Sequence, residues 1–386
     1  MLEHQFQELL DPKDPLLNWR KKHWDRFQEI GWPKEAFQYI PLKTLSIPKA
    51  AEPSAVSLGT DRPFQIAFAD GFFSTEYSRV PEGVVCLPLD EAMRSYGVFL
   101  QNRILRTLKE ESDPFAALNG AFQGRGCFLY APPQMRRAEP IFIRQFFSAE
   151  RMATPRLMVY LGRQSRLELI QRLDGAYFCN AQTDAVVDEG AELVFLDALG
   201  ASETSHVFHA IRASLKRDSR FAAHLYSEGA ALARTSIKVQ LLEENGEALL
   251  QGLARLDGAL QNHIHALVEH LAPRTRSRQH FKGILKGKSC SSFEGKIYVH
   301  PLAQKTEAYQ LNNHLLLSDQ AQAYAKPNLE IFADDVQASH GATVSQLDAE
   351  DLFYLRSRGL PREEAQNRLI EGFCRELIHC IPEEKR

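Results

Sequence analysis

From about residue 121 to 345 the chain is written in short runs that alternate apolar and polar positions or are apolar throughout. Examples are IFIRQFF, RLMVYLG, SRLELIQRL, AELVFLDAL, SRFAAHLYS, HFKGILKG, EGKIYVH and NLEIFA. Period-two alternation marks strands with one buried face, and Gly, Asn, Asp and Ser punctuate the runs. No amphipathic helix lies between them, which argues against βαβ architectures. Similar runs return at intervals of about 28 residues, as from Leu193 to Phe221 and on to Leu249. A sandwich or barrel stays open on pattern alone. A solenoid accounts better for the length and the loose period, because each coil buries its apolar face against its neighbours.

The flanks change period. Residues 1–120 predict mostly helix with short strands. Trp24 and Phe27 sit at helical spacing among charges, and Gly31 and Pro33 follow as stop signals. Helical spacing returns from Pro88 to Glu110 at Ala92, Tyr96, Phe99, Ile104 and Leu108. Residues 346–386 predict two more helices. Asp348 and Glu350 put negative charge in a first turn, and Gly359 supplies a C-terminal stop. Pro361 then opens a second helix with Ala365, Leu369, Ile370, Phe373, Cys374, Leu377 and Ile378 on one stripe. That stripe wants a partner, either this chain's own core or another subunit.

Composition narrows the function more than the fold. The 386 residues are 44% hydrophobic and 25% charged, ordinary for a globular protein, and the net charge of −3 gives no basic field for nucleic acid. No apolar run approaches the ~20 residues that span a bilayer. The first residues, MLEHQFQELLDPKDP, lack the apolar core of a secretory signal, so a cytoplasmic location is expected. The six cysteines, at 86, 127, 179, 290, 374 and 380, form no C-x-x-C pair and suit neither a disulfide framework nor a zinc ribbon. Most read as small buried hydrophobes.

Two motifs come close and miss. Gly283 to Ser289 reads G-x-x-x-G-K-S, one residue short of a phosphate-binding loop and placed between strands rather than before a helix. It reads as a turn. His263 and His265 share a strand face with His270 close behind, but no Cys or spaced carboxylate completes a metal set, so stacked polar residues on a solenoid face are the better reading.

The stretch from Lys282 to Leu360 carries a resemblance. Its words are Phe293, Gly295 and Lys296 (F-x-GK), AQKT-x-AYQ (Ala303 to Gln310), LLLS (Leu315 to Ser318), KPNLEIFADDV (Lys326 to Val336), SHGAT (Ser339 to Thr343) and LFYLRSRG (Leu352 to Gly359). In this order they closely resemble the core of the SufB/SufD family of the SUF iron–sulfur cluster assembly system. GWPKEAFQYIPLKTL and ALNGAF (Ala117 to Phe122) extend the likeness upstream more weakly. Gly341 after His340 is the SufD form, where SufB has Glu.

The resemblance implies a mainly β fold, a right-handed parallel β-helix over 121–345 between helical domains at 1–120 and 346–386. It implies a non-catalytic scaffold that pairs with a SufB-like paralogue through the β-helices and docks a SufC-like ATPase through the C-terminal helices. Leu352, Phe353, Leu369 and Phe373 belong to that docking region. A transient iron–sulfur cluster would form where the two β-helices meet, with His340 as this chain's ligand. A cysteine desulfurase would supply sulfur indirectly, and reduced flavin is associated with such complexes. The chain departs from relatives at Ala338, where many have Cys, and at His314, where Asn is usual; His314 reads as a strand-face substitution. Two rivals remain: a polysaccharide-cleaving β-helix, which lacks an acid pair here, and a homodimer that stores iron or serves as a docking platform.

Overall fold

In a computed structural model, the structure describes residues 2–32, 37–42, 45–53, 62–97, 108–148, 150–173, 175, 177–200 and 202–381. The strand-rich region folds as a parallel β-solenoid. Each coil runs along one sheet, turns, and returns in the other: Arg156–Leu161 then Arg166–Leu173, Phe178–Val187 then Glu192–Leu199, and so on to Gln322–Ile331 then Val336–Gln346. Successive coils pair in parallel within two ten-stranded sheets. Alternation then sends every second side chain inward, where Leu169, Phe195, Leu193, Phe221, Ile237 and Leu250 build the core.

The spacing expected from sequence holds for one step and slips at the next. Leu193 stacks on Phe221, but Phe221 stacks on Ala248, and Leu249 points outward beside Ala222. The second coil is one residue shorter, and a shift of one reverses the face. Leu250 is buried instead. The coils also lengthen along the chain. In one sheet the strands grow from 8 residues at Arg166–Leu173 to 11 at Val336–Gln346.

The N-terminal region supplies strands as well as helices. Gln65–Ala69 joins one sheet in parallel beside Ile141–Phe146, with Phe72–Arg79 antiparallel outside it. Val85–Pro88 closes the other sheet antiparallel to Cys127–Ala131. This end of the column is therefore capped.

Helices Leu17–Ile30 and Pro114–Phe122 pack together on the outside. Trp24, Phe27, Phe115 and Phe122 share an apolar cluster with Phe178, Phe208 and Leu232 of the solenoid, and Phe115 stacks on Phe208 at 3.6 Å. Gly31, at φ 60°, ends the first helix by returning its N–H to the Phe27 carbonyl. Of the helix expected between Pro88 and Glu110 the structure shows Leu89–Ser95; Phe99 and Ile104 lie outside the described residues.

Buried ion pairs fasten this layer. Asp113 caps helix Pro114–Phe122 by accepting from the Phe115 N–H and also pairs with Arg234. Burial pushes the Asp113 carboxyl up, but Arg234 and Arg212 outweigh it and hold the group well below the usual carboxylate range. Arg212 forks onto Glu111 at 2.8 and 2.9 Å, and Arg156 reaches Asp184 at 2.6 Å.

At the other end, Asp348 caps helix Ala349–Ser357 by accepting from the Glu350 and Asp351 N–H groups. Helix Arg362–Cys374 follows and kinks into a 3₁₀ turn, Arg375–Cys380, at Leu377. Cys374, Leu377, Cys380 and Ile381 pack on Ala198, Tyr226, Leu253 and Ile284 of the column's outer face. The kink breaks the expected stripe. Leu377 is buried and Ile378 turns out to solvent. No described helix is long and apolar enough to cross a membrane.

Candidate functional site

The last coil is built like the others, but among the described residues no further strand pairs with it, and only the Tyr39 ring stacks on its Tyr324. Gln322–Ile331 is the outermost strand of one sheet and Val336–Gln346 of the other, so both sheets end in an unpaired edge on the same side. Such edges present rows of N–H and C=O groups that pair readily with another chain. Side chains that would be interior in earlier coils are exposed here. Of the eleven exposed large hydrophobics among the described residues, eight lie beyond residue 300, including Leu302, Phe332 and Val344. Five of these, Leu302, Leu311, Tyr324, Phe332 and Val344, belong to the last coils and their turns, and the other three to the C-terminal helix and turn.

His340 sits in the middle of strand Val336–Gln346, in register with buried Gln310. The register runs on as one inward row: Leu169, Phe195, Ala223, Leu250, Gln279, Gln310 and His340. It is apolar as far as Leu250 and polar after it. His340 is the rung left open to solvent. It does not belong to the turn at Asp334 and Asp335, which precedes the strand. Ala338 shares the inward face and packs against Ile297, Val299 and Ala308, so that position offers only an apolar contact.

The interior behind His340 is polar and incompletely paired. Both amide atoms of Gln279, Oε1 of Gln310, Oδ1 of Asn312 and Nδ1 of His314 are buried with no partner among the described residues. Groups of this kind are normally met by ordered water. His314 lies inside the column, its Nε2 3.1 Å from the Ser291 hydroxyl, and burial pulls its ring down to about 4, leaving it neutral. Gly283 makes room for it: a Cβ there would lie 2.5 Å from the His314 ring. Only the coil register reveals this stack, because Gln279, Gln310 and His340 are about 30 residues apart.

The other sequence candidates scatter. Gly283 to Leu285 end strand Arg276–Leu285, and only Lys286 to Ser289 form the turn into Cys290–Val299, with Gly287 at φ 68°. His263 is buried on the outer face against Ser292 and Gln261, while His270 points inward to Thr275 and Ser277. Burial lowers both rings to about 3, and no metal set forms around either among the described residues. Cys179 and Cys374 are buried, as expected. Cys86 and Cys127 approach to 3.5 Å, a pairing that their spacing in sequence hid.

The four docking candidates divide. Phe353 is 72% exposed on helix Ala349–Ser357, beside Leu352, which is half-buried. Leu369 is half-buried. Phe373 lies against the column, its ring 5.0 Å from the Lys282 ammonium, which also bonds the Phe373 carbonyl at 2.9 Å.

Residues 145–373 match the model of the SUF system FeS cluster assembly SufBD core domain. The chain is 27% identical over 341 residues to an iron–sulfur cluster assembly SufBD family protein of Synechocystis, covering 82% of this chain and 74% of that protein. It is 34% identical over 214 residues to the iron–sulfur cluster assembly protein SufD of Escherichia coli, covering 55% of this chain and 50% of that one. It is 29% identical over 333 residues to the chloroplastic protein ABCI7 of Arabidopsis thaliana, covering 81% of this chain and 66% of that protein.

Proposed function

The chain belongs to the SufBD core family of the SUF iron–sulfur cluster assembly system, and from that premise we propose that it is a SufD-like scaffold that completes a cluster-building site only when paired. The observation that carries this is the open end of the column. Two unpaired strand edges and a crowd of exposed apolar side chains surround the last inward rung, and that rung is an imidazole. A SufB-like paralogue would add its own last coil there, pairing edge to edge through main-chain hydrogen bonds. The cluster is cargo, built at the seam. His340 would give it one neutral nitrogen ligand, and imidazole in place of thiolate donates less electron density, suiting a cluster meant to be passed on. With Ala338 apolar, thiolates must come from the partner.

The C-terminal helices would grip a SufC-like ATPase. Support comes from Phe353 and Tyr354, both largely exposed on helix Ala349–Ser357. Nucleotide hydrolysis belongs to that partner, and this chain performs no catalytic step.

The test is co-expression with the SufB-like and SufC-like partners and assay of iron and acid-labile sulfide in the purified complex. His340→Ala should preserve the complex on size exclusion and sharply reduce both contents. Unchanged iron and sulfide would remove His340 from the site. A chain that self-associates through the open end and ignores the paralogue would favour the homodimer reading.

A further inference from the structure

Far from the open end, three donor side chains meet where the C-terminal turn crosses the column. His224, Gln251 and His280 occupy the same outward position in three successive coils, a polar ladder across the sheet. The 3₁₀ turn Arg375–Cys380 lies over it. Lys282 holds Glu376 at 2.8 Å, which fixes the turn's start. One turn later, His379 and Cys380 come down on His224: the two imidazoles meet edge to face with centroids 4.9 Å apart, and the Cys380 sulfur is 3.9 Å from His224 Nδ1. One donor atom from each of the three residues lies within 4.8 Å of the others.

We propose that His224, His379 and Cys380 form a binding site for a divalent cation of the zinc class. Two imidazoles and one thiolate are the donors such a borderline-soft ion prefers, and three protein ligands leave a fourth position for water. Ligand atoms around a tetrahedral zinc with bonds of ~2.0–2.3 Å stand ~3–4 Å apart, so the observed cluster needs only a small contraction. The supporting contact is also present. Gln251 Oε1 accepts from His379 Nε2 at 2.8 Å and holds that ring, as outer partners of metal-bound histidines do. Burial, with His379 beside it, lowers the His224 ring to about 4, so it is neutral and keeps its lone pair. A bound ion would staple the C-terminal turn to the middle of the column. The site shares no residue with the open end.

The test uses the full chain, stripped with chelator and titrated with cobalt(II) as the spectroscopic probe, then with zinc in competition. One equivalent of cobalt should give a thiolate-to-cobalt charge-transfer band with strong tetrahedral d–d bands, and one equivalent of zinc should bleach them. Cys380→Ser should abolish the charge-transfer band. His379→Ala changes an exposed side chain and keeps the test open if Cys380→Ser fails to fold; it should weaken affinity at least about tenfold, and Gln251→Ala roughly 10- to 100-fold. Cys374→Ser, Cys290→Ser and His340→Ala should leave the spectrum unchanged. A band that never appears, survives in Cys380→Ser, or disappears in Cys374→Ser or His340→Ala overturns the assignment. Because His340→Ala is silent here, this outcome is separable from the fate of the cluster-site reading.

Discussion

Single residues in this column act through the coil above or below. Gly283 and His314 show it best, since a glycine in one coil creates the room that an imidazole fills in the next. Gly283→Ala should destabilise by about 1–3 kcal/mol, because the added methyl meets a ring that packed neighbours hold in place. In the background His314→Asn the same change should cost less, with a coupling of ~0.5–3 kcal/mol in a double-mutant cycle by denaturant unfolding. Equal costs in both backgrounds would show that the ring moves aside freely. His340 follows the same logic with the neighbour missing. Its rung is interior by register and exposed by position, and in the proposed pairing the partner's coil would cover it.

Among the elements, the strands were legible and their register was not. Alternation marks inward positions inside any one strand, so AELVFLDAL and SRFAAHLYS announce their buried faces directly. Which residue stacks on which depends on loop lengths that differ by one or two, and Leu249 was lost to that slip. Helix ends read well, as at Gly31 and at the acidic start around Asp348 and Glu350, though Asp348 proved to be the cap rather than a first-turn residue, because end chemistry is local. The kink at Leu377 was invisible, and the outward turn of Ile378 with it, since packing on a sheet distant in sequence decides where that helix stops. The meeting of His224 with residues 379 and 380 escaped for the same reason. The two C-terminal helices should respond differently to charge. Phe353→Asp should leave unfolding unchanged and abolish capture of the SufC-like ATPase. Phe373→Asp should lower stability by about 1–3 kcal/mol, since its ring is half-buried over Lys282. Circular dichroism melts with a pulldown separate them, and full capture by Phe353→Asp would move the docking surface elsewhere.

At the scale of the molecule, several histidines are carried neutral in the interior. Burial lowers His23, where Arg156 adds to the effect, and His263, near Arg234, to about 3. Burial alone takes His270 to about 3 and His314 to about 4. Unfolded, each titrates near 6.5, so below that pH the unfolded chain binds more protons than the fold does. The associated stability is complete above about 6.5 and drains as pH falls toward about 4 for His314 and about 3 for the other three, by up to ~1.4 kcal/mol per pH unit for each ring. Urea midpoints should therefore drop between pH 7 and pH 5, and His270→Asn should flatten the slope. A midpoint independent of pH across that window would place charge on these rings in the folded state.

Strands from the N-terminal region finish one end of the column antiparallel to their neighbours, while the last coil leaves two parallel strands at the edge of the other. The edges at the two ends therefore differ in direction and length, Phe72–Arg79 and Val85–Pro88 at one and Gln322–Ile331 and Val336–Gln346 at the other. A second copy's far end offers no continuation of the coil, which disfavours the end-to-end stacking that an exposed strand edge otherwise invites.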